Sequence, residues 1–137
     1  MTRISSIAQV SPGQAVPESA RTIDTQDLVK YAAATDDYAR QHWDHLFMLE
    51  MGFPGVIVHG WYTFGLMCEA VGRWIPPETA DLVGYSVRYH RPTFPGPVVC
   101  GGEVASVGAD GRAELKLWAK DGEGLVTTTA AVTLAFA

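Results

Sequence analysis

Residues 60–74 read GWYTFGLMCEAVGRW, fifteen positions without a proline. Trp61, Phe64, Leu66, Met67, Ala70, Val71 and Trp74 spread over more than one helical face of this segment. A helix that is apolar on most sides belongs inside a protein. Pro76 and Pro77 stop it, because neither has an N–H with which to continue the ladder.

What covers such a helix lies downstream, where the hydrophobic period changes from helical to two. Val83, Tyr85, Val87 and Tyr89 alternate with Ser86, Arg88 and His90, and Ala113, Leu115, Leu117 and Ala119 occupy alternate positions of RAELKLWAK. PVVCGGEVASV and LVTTTAAVTLAFA complete four strands, punctuated by turns at FPGP, GADG and DGEG. This is the pattern of an antiparallel meander with one buried face.

Upstream, RTIDTQDLVKYAAAT reads as a helix. Asp24 or Thr25 caps it, and Leu28, Val29, Ala32 and Ala33 follow at helical spacing. HLFMLEMGFPG is a short helical piece stopped by Gly52 and Pro54, and residues 1–20 form an irregular lead-in with room for a short strand. Helices are thus segregated from strands, so the fold class is α+β. The economical arrangement is a single domain over residues 1–137, with a curved antiparallel sheet wrapped around the central helix. Its edge strand would be open to a second copy, so a homodimer or higher homo-oligomer is expected.

Composition removes several classes of function. The chain is 47% hydrophobic and 18% charged, with a net charge of −5 and no basic block, which argues against a nucleic-acid partner. The first residues lack the apolar core of a signal peptide, and no apolar run reaches the ~20 residues of a membrane helix. A cytoplasmic protein without membrane contact is the expectation. Cys68 and Cys100 fit no metal-ligand spacing and read as buried free thiols.

Chemistry concentrates in ATDDYARQHWDH, residues 34–45. Asp37 and His42 are five positions apart; a continuous helix would rotate them roughly 140° from one another. They can act together only if the segment between them is irregular; otherwise they read as a solvated turn. His42, Asp44 and His45, with Asp37 nearby, make a sparse metal set that no second cluster completes, so no metal is expected.

Taken with Val58-His59-Gly60 at the start of the apolar helix, this stretch resembles the MaoC-like, or hydratase-2, family of (R)-specific enoyl-CoA hydratases and dehydratases. Thr35 takes the motif's small position, Asp36 stands where glycine is usual, and Asp37 and His42 fall on the catalytic pair. Ala39 and Arg40 replace the usual Asn and Pro, and YSVRYHRPTFPGPVVCGGEV resembles the family's strand pair. The likeness runs over residues 22–136.

It implies a hot-dog fold and addition or loss of water at the double bond of an acyl thioester. The substrate itself would carry CoA or phosphopantetheine, with no other cofactor. In that chemistry Asp37 activates water, while His42 orients it and assists proton transfer. The backbone N–H of Gly60, at the mouth of the buried helix, suits an oxyanion hole that an absent side chain lets the thioester approach. His59 reads either as a structural hydrogen-bonding residue or as pocket lining, and Trp61 as lining of the acyl tunnel. Arg88 offers a guanidinium to a CoA or carrier phosphate. The altered positions Asp36, Ala39 and Arg40 keep an alternative in play, a non-catalytic acyl-binding subunit of a heteromeric hydratase. A hot-dog thioesterase is a further one.

Overall fold

The structure, a computed structural model, describes residues 2–137. Its elements are β1 (Ala15–Ile23), α1 (Thr25–Thr35), α2 (His45–Glu50), α3 (Gly60–Trp74), β2 (Ala80–Tyr89), β3 (Gly96–Val107), β4 (Arg112–Lys120) and β5 (Val126–Phe136). Single 3-10 turns lie at Ile7–Gln9 and Arg40–His42. The five strands form one antiparallel sheet in the order β1-β3-β4-β5-β2, curved around α3. This is the expected α+β hot-dog architecture.

Two expectations about strands are corrected. The lead-in is not irregular to residue 20: β1 pairs with β3 from Ala15↔Glu103 to Ile23↔Gly96, with a bulge between Val16 and Ser19. Pro17 is tolerated because β1 is an edge strand. The meander comprises only β3, β4 and β5, while β2 crosses over to pair with β5. β2 and β3, adjacent in sequence, therefore do not pair. The link HRPTFP between them has two prolines and no tight-turn residues, so it carries the chain across the sheet end instead of closing a hairpin.

The core lies between α3 and the inner face of the sheet. On β4, Ala113, Leu115, Leu117 and Ala119 are all buried, as their alternation requires. On α3, Thr63, Phe64, Leu66, Met67, Ala70, Val71 and Trp74 are buried, but Trp61, Gly65 and Arg73 are exposed. One stripe of the central helix thus stays open in the single chain. The inner face of β2 is open with it: Leu82, Tyr85 and Tyr89 are about half exposed, because no further strand shelters this edge. A bulge between Leu82 and Gly84 breaks the alternation expected from the sequence and sets Val83 beside the outer-face groove of Gly84, Arg112, Glu114 and Thr133.

α1 starts in a reciprocal cap, Asp24 accepting from the Asp27 N–H and Asp27 from the Asp24 N–H. Its inward stripe is Leu28, Tyr31 and Ala32; Val29 and Ala33 face out. Of the four tryptophans only Trp74 is buried, whereas Trp43 and Trp61 are exposed and Trp118 lies on the outer sheet face beneath the Lys120 ammonium, 4.0 Å from its ring centre. Both cysteines are free. Burial pushes the Cys100 thiol up to about 12, while Cys68 is half-buried on α3. Among the described residues no helix is long and apolar enough to cross a membrane.

Candidate active site

The acid and the imidazole are brought together by a break in helical geometry. α1 ends at Thr35, and Asp36 then adopts φ 59°, ψ 23°, the one left-handed non-glycine residue among those described. This reversal delivers Asp37, whose Oδ1 accepts a hydrogen bond from the Ala39 N–H at 3.3 Å. The 3-10 turn Arg40–His42 follows and swings His42 back, leaving its Nε2 3.9 Å from Asp37 Oδ2. The irregularity that joint action demands is therefore present.

Backbone carbonyls fix both histidine tautomers. His42 is buried, and its Nδ1 lies 2.8 Å from the Ile57 carbonyl oxygen. A carbonyl only accepts, so neutral His42 carries its proton on Nδ1 and turns the Nε2 lone pair toward Asp37. Ile57 in turn donates its N–H to the Gln41 carbonyl at 2.9 Å, and Val58 donates to Thr93 at 2.8 Å. Residues 56–58 are thus tied on both sides and hold the start of α3 against the 3-10 turn. His59, 1% exposed, donates Nε2–H to the Asp37 carbonyl at 3.1 Å.

The two imidazoles stack, with ring centres 3.8 Å apart and planes 19° from parallel. Tyr31 packs on His59 at 4.8 Å and stacks on Tyr62 at 5.0 Å. Burial holds His59 below the ordinary imidazole range, so the ring is neutral at physiological pH. Its Nδ1 has no hydrogen-bond partner among the described residues. The Tyr31 phenol is pushed up by burial and by the charge of Asp37.

The metal set read from the sequence is not the one the fold assembles. Asp44 caps α2 by accepting from the Phe47 N–H at 3.0 Å and pairs with Arg40 at 2.7 Å; these bonds hold its carboxyl below the usual carboxylate range. His45 faces outward beside Gly55. Instead, one donor atom each from Asp37, His42 and His59 lie within 4.8 Å of one another. The in-plane lone pairs of two nearly parallel stacked rings run side by side, a poor match to the convergent shell an ion requires. A water bridging Asp37 and His42 fits the 3.9 Å gap, with its two hydrogens directed at Oδ2 and Nε2.

The remaining expected residues fall in different places. Gly60 opens α3, where no side chain caps the first N–H groups, so their positive end of the helix dipole is available to an anion. A Cβ at Gly60 would meet Tyr89 Cζ at 2.7 Å, so in this chain glycine makes room for the Tyr89 ring rather than leaving the backbone open. Trp61 is half exposed and meets Phe64 and Tyr85 edge-on, each at 5.9 Å. Arg88 is not gathered into this group. Its neighbours Val87 and Tyr89 point inward, and Arg88 lines a groove of about 680 Å³ with Lys116, Trp118 and Thr129 on the outer sheet face. An apolar cavity of about 200 Å³ opens beside the exposed stripe of α3, between Cys68, Gly72, Ile75, Leu82 and Leu134.

Tyr31, Ile57 and Tyr89 belong to the cluster and were not singled out in the sequence. Tyr31 had a signal, standing three positions after Leu28 on the inward stripe. Ile57 had none, since it acts through a carbonyl that every residue has.

Comparison with known proteins identifies the fold and the family. A family model described as a MaoC like domain matches residues 8–129. An enoyl-CoA hydratase of Mycobacterium tuberculosis, ChsH3, is 32% identical over 72 residues, 52% of this chain and 24% of that protein; the match thus spans about a quarter of that relative's length. The unliganded R-hydratase PhaJ1 of Pseudomonas aeruginosa superposes with a TM-score of 0.88 at 21% identity, covering 96% of this chain and 85% of that one. A chain of the ChsH1-ChsH2 complex of Mycobacterium tuberculosis gives a TM-score of 0.84 at 26% identity, covering 93% of this chain and 98% of that one.

Proposed function

The chain belongs to the MaoC-like dehydratase family, and from that footing we propose that it reversibly hydrates an enoyl thioester to the (R)-3-hydroxyacyl thioester. The observation that carries the reading is the 3.9 Å approach of Asp37 Oδ2 and His42 Nε2, with the imidazole tautomer set by Ile57. A water held by both has its oxygen lone pairs free for C3. As the C3–O bond forms, the C2=C3 electrons move toward C2 and the thioester oxygen. One water proton passes to the Asp37–His42 pair, and a proton is returned to C2. The charge on the thioester oxygen is met by the N–H groups at the start of α3, Gly60 among them. No metal or organic cofactor enters this scheme.

The acyl chain would run past Trp61 along the open stripe of α3 toward the apolar cavity at Cys68 and Gly72. The thioester would be a CoA or carrier-protein ester. Arg88, on the outer sheet face, could meet its phosphates only where they reach around the β2 edge. A homodimer through β2 is part of the proposal. Both edges carry a bulge, but Leu82, Val83, Tyr85 and Tyr89 leave the β2 edge apolar, whereas β1, the opposite edge, is blunted by Pro17, Glu18 and Arg21.

Changing Asp37 to Asn or His42 to Ala should each lower kcat/KM for crotonyl-CoA or a longer enoyl-CoA by at least about 10³-fold. Circular dichroism should show the fold unchanged. Full hydration activity in either folded variant would sink the assignment. The second reading is a subunit of a heteromeric hydratase, favoured by the likeness to a ChsH1-ChsH2 chain. Hydration that appears only on adding a second hot-dog chain would select it. Release of free CoA thiol would instead indicate a thioesterase.

A further inference from the structure

We propose that His59 is a positioning residue that fixes the geometry of the Asp37–His42 pair without exchanging a proton with substrate. The inference rests on the hydratase reading above and adds a member to its site.

His59 is tied to both members of the pair by different means. Its Nε2–H holds the Asp37 carbonyl at 3.1 Å, which anchors the irregular turn that bears the carboxylate. Its ring face lies on the His42 ring at 3.8 Å, which sets the plane in which Nε2 of His42 points. One rigid side chain at the start of α3 therefore spans the two segments, 37–39 and 40–42, whose relative position sets the 3.9 Å gap. At 1% exposure it is enclosed, and the Tyr31 ring, itself stacked on Tyr62, packs against it at 4.8 Å and limits its movement.

The protonation of His59 suits this role and no other. Its proton is committed to a carbonyl, and its bare Nδ1 is enclosed without a partner among the described residues. The titratable groups facing it are Asp37 from the turn and His42 from the 3-10 segment, with the Tyr31 phenol from α1. A charged His59 would repel the imidazolium that forms when His42 takes a proton. A neutral stacked ring leaves that charge unopposed.

The test compares His59→Leu, which keeps volume but loses the N–H, with His59→Gln, whose amide N–H can reach the position of Nε2. In His59→Leu, kcat for enoyl-CoA hydration should fall about 100-fold with KM within about threefold, the signature of misplaced groups rather than lost binding. His59→Gln should recover at least about a tenth of wild-type kcat. Imidazole 15N shifts at about pH 8, above the ordinary imidazole range, supply a readout independent of catalysis. His42 should show the Nδ1–H tautomer alone in the wild type and a mixture in His59→Leu.

Wild-type kcat in His59→Leu, or a loss of melting temperature with kcat and the His42 tautomer unchanged, would overturn the proposal. If His59→Leu does not fold, His59→Gln decides: a folded Gln variant with kcat well below a tenth of wild type and His42 shifts identical to wild type overturns the proposal. A wild type that hydrates no enoyl thioester would remove the hydratase reading, while the His42 tautomer would still report on the positioning role.

Discussion

Asp36 shows how one residue's backbone can matter more than its charge. It stands where the resembling motif carries glycine, and it adopts the left-handed conformation that glycine enters at no steric cost. The carboxylate is exposed, and its place in the site is conformational: it ends α1 and turns the chain so that Asp37 faces His42. Asp36→Gly should therefore raise stability by about 0.5 to 1 kcal/mol, less than the full left-handed penalty because glycine also loosens the unfolded chain. Urea unfolding measures this, and a destabilised variant would show that the Asp36 side chain makes a contribution its geometry does not reveal. Neighbouring Asp44 is the opposite case, a carboxylate used as carboxylate to cap α2 and hold Arg40.

At the scale of elements, the site depends on how firmly the start of α3 is hung from its surroundings. Val58 donates to the Thr93 carbonyl, and the Thr93 hydroxyl donates to the Thr127 hydroxyl at the head of β5, 2.8 Å away. Both threonines are buried. Thr93→Val alone leaves the Thr127 oxygen with no donor among the described residues and should cost about 1 to 3 kcal/mol. Replacing both by valine keeps the shape and removes both polar groups, so the double variant should come back close to wild type. Denaturant melts of the four proteins test the cycle. Equal destabilisation in single and double variants would mean that packing, not the hydroxyl pair, holds this joint.

The whole molecule is a sheet with two unlike edges wrapped on one side of a helix. A lone sheet cannot enclose all of α3, so Trp61 and the inner face of β2 stay open beside Asp37. The proposed pairing of β2 edges would cover this stripe, and a stable pairing has to bury more than about 1,000 Å². Light scattering should accordingly find twice the chain mass at micromolar concentration. Val83→Lys should shift the protein toward monomer by placing two like charges at the seam. A wild type that stays monomeric at high concentration would refute the β2 pairing and direct attention to an unlike partner.

From Thr25 onward the hydrophobic periods determined by themselves which segments are helix and strand, and that the helix from Gly60 to Trp74 is the one the sheet surrounds; β1 lacks such a period and reads as lead-in. Those are properties of consecutive residues, because an apolar face must be buried whatever lies opposite. The spacing of Asp37 and His42 marked the acid and the base, but only as a condition: they meet if the chain between them is irregular. Tertiary structure decided that condition, since the left-handed turn at Asp36 and the Ile57 carbonyl act at distances the sequence does not encode locally. It also decided that β2 pairs with β5 rather than β3, that Tyr89 fills the space over Gly60, and that Arg88 lies on the outer face. Strand order and facing depend on which edges remain unpaired once the chain has closed around its helix, and no local pattern carries that information.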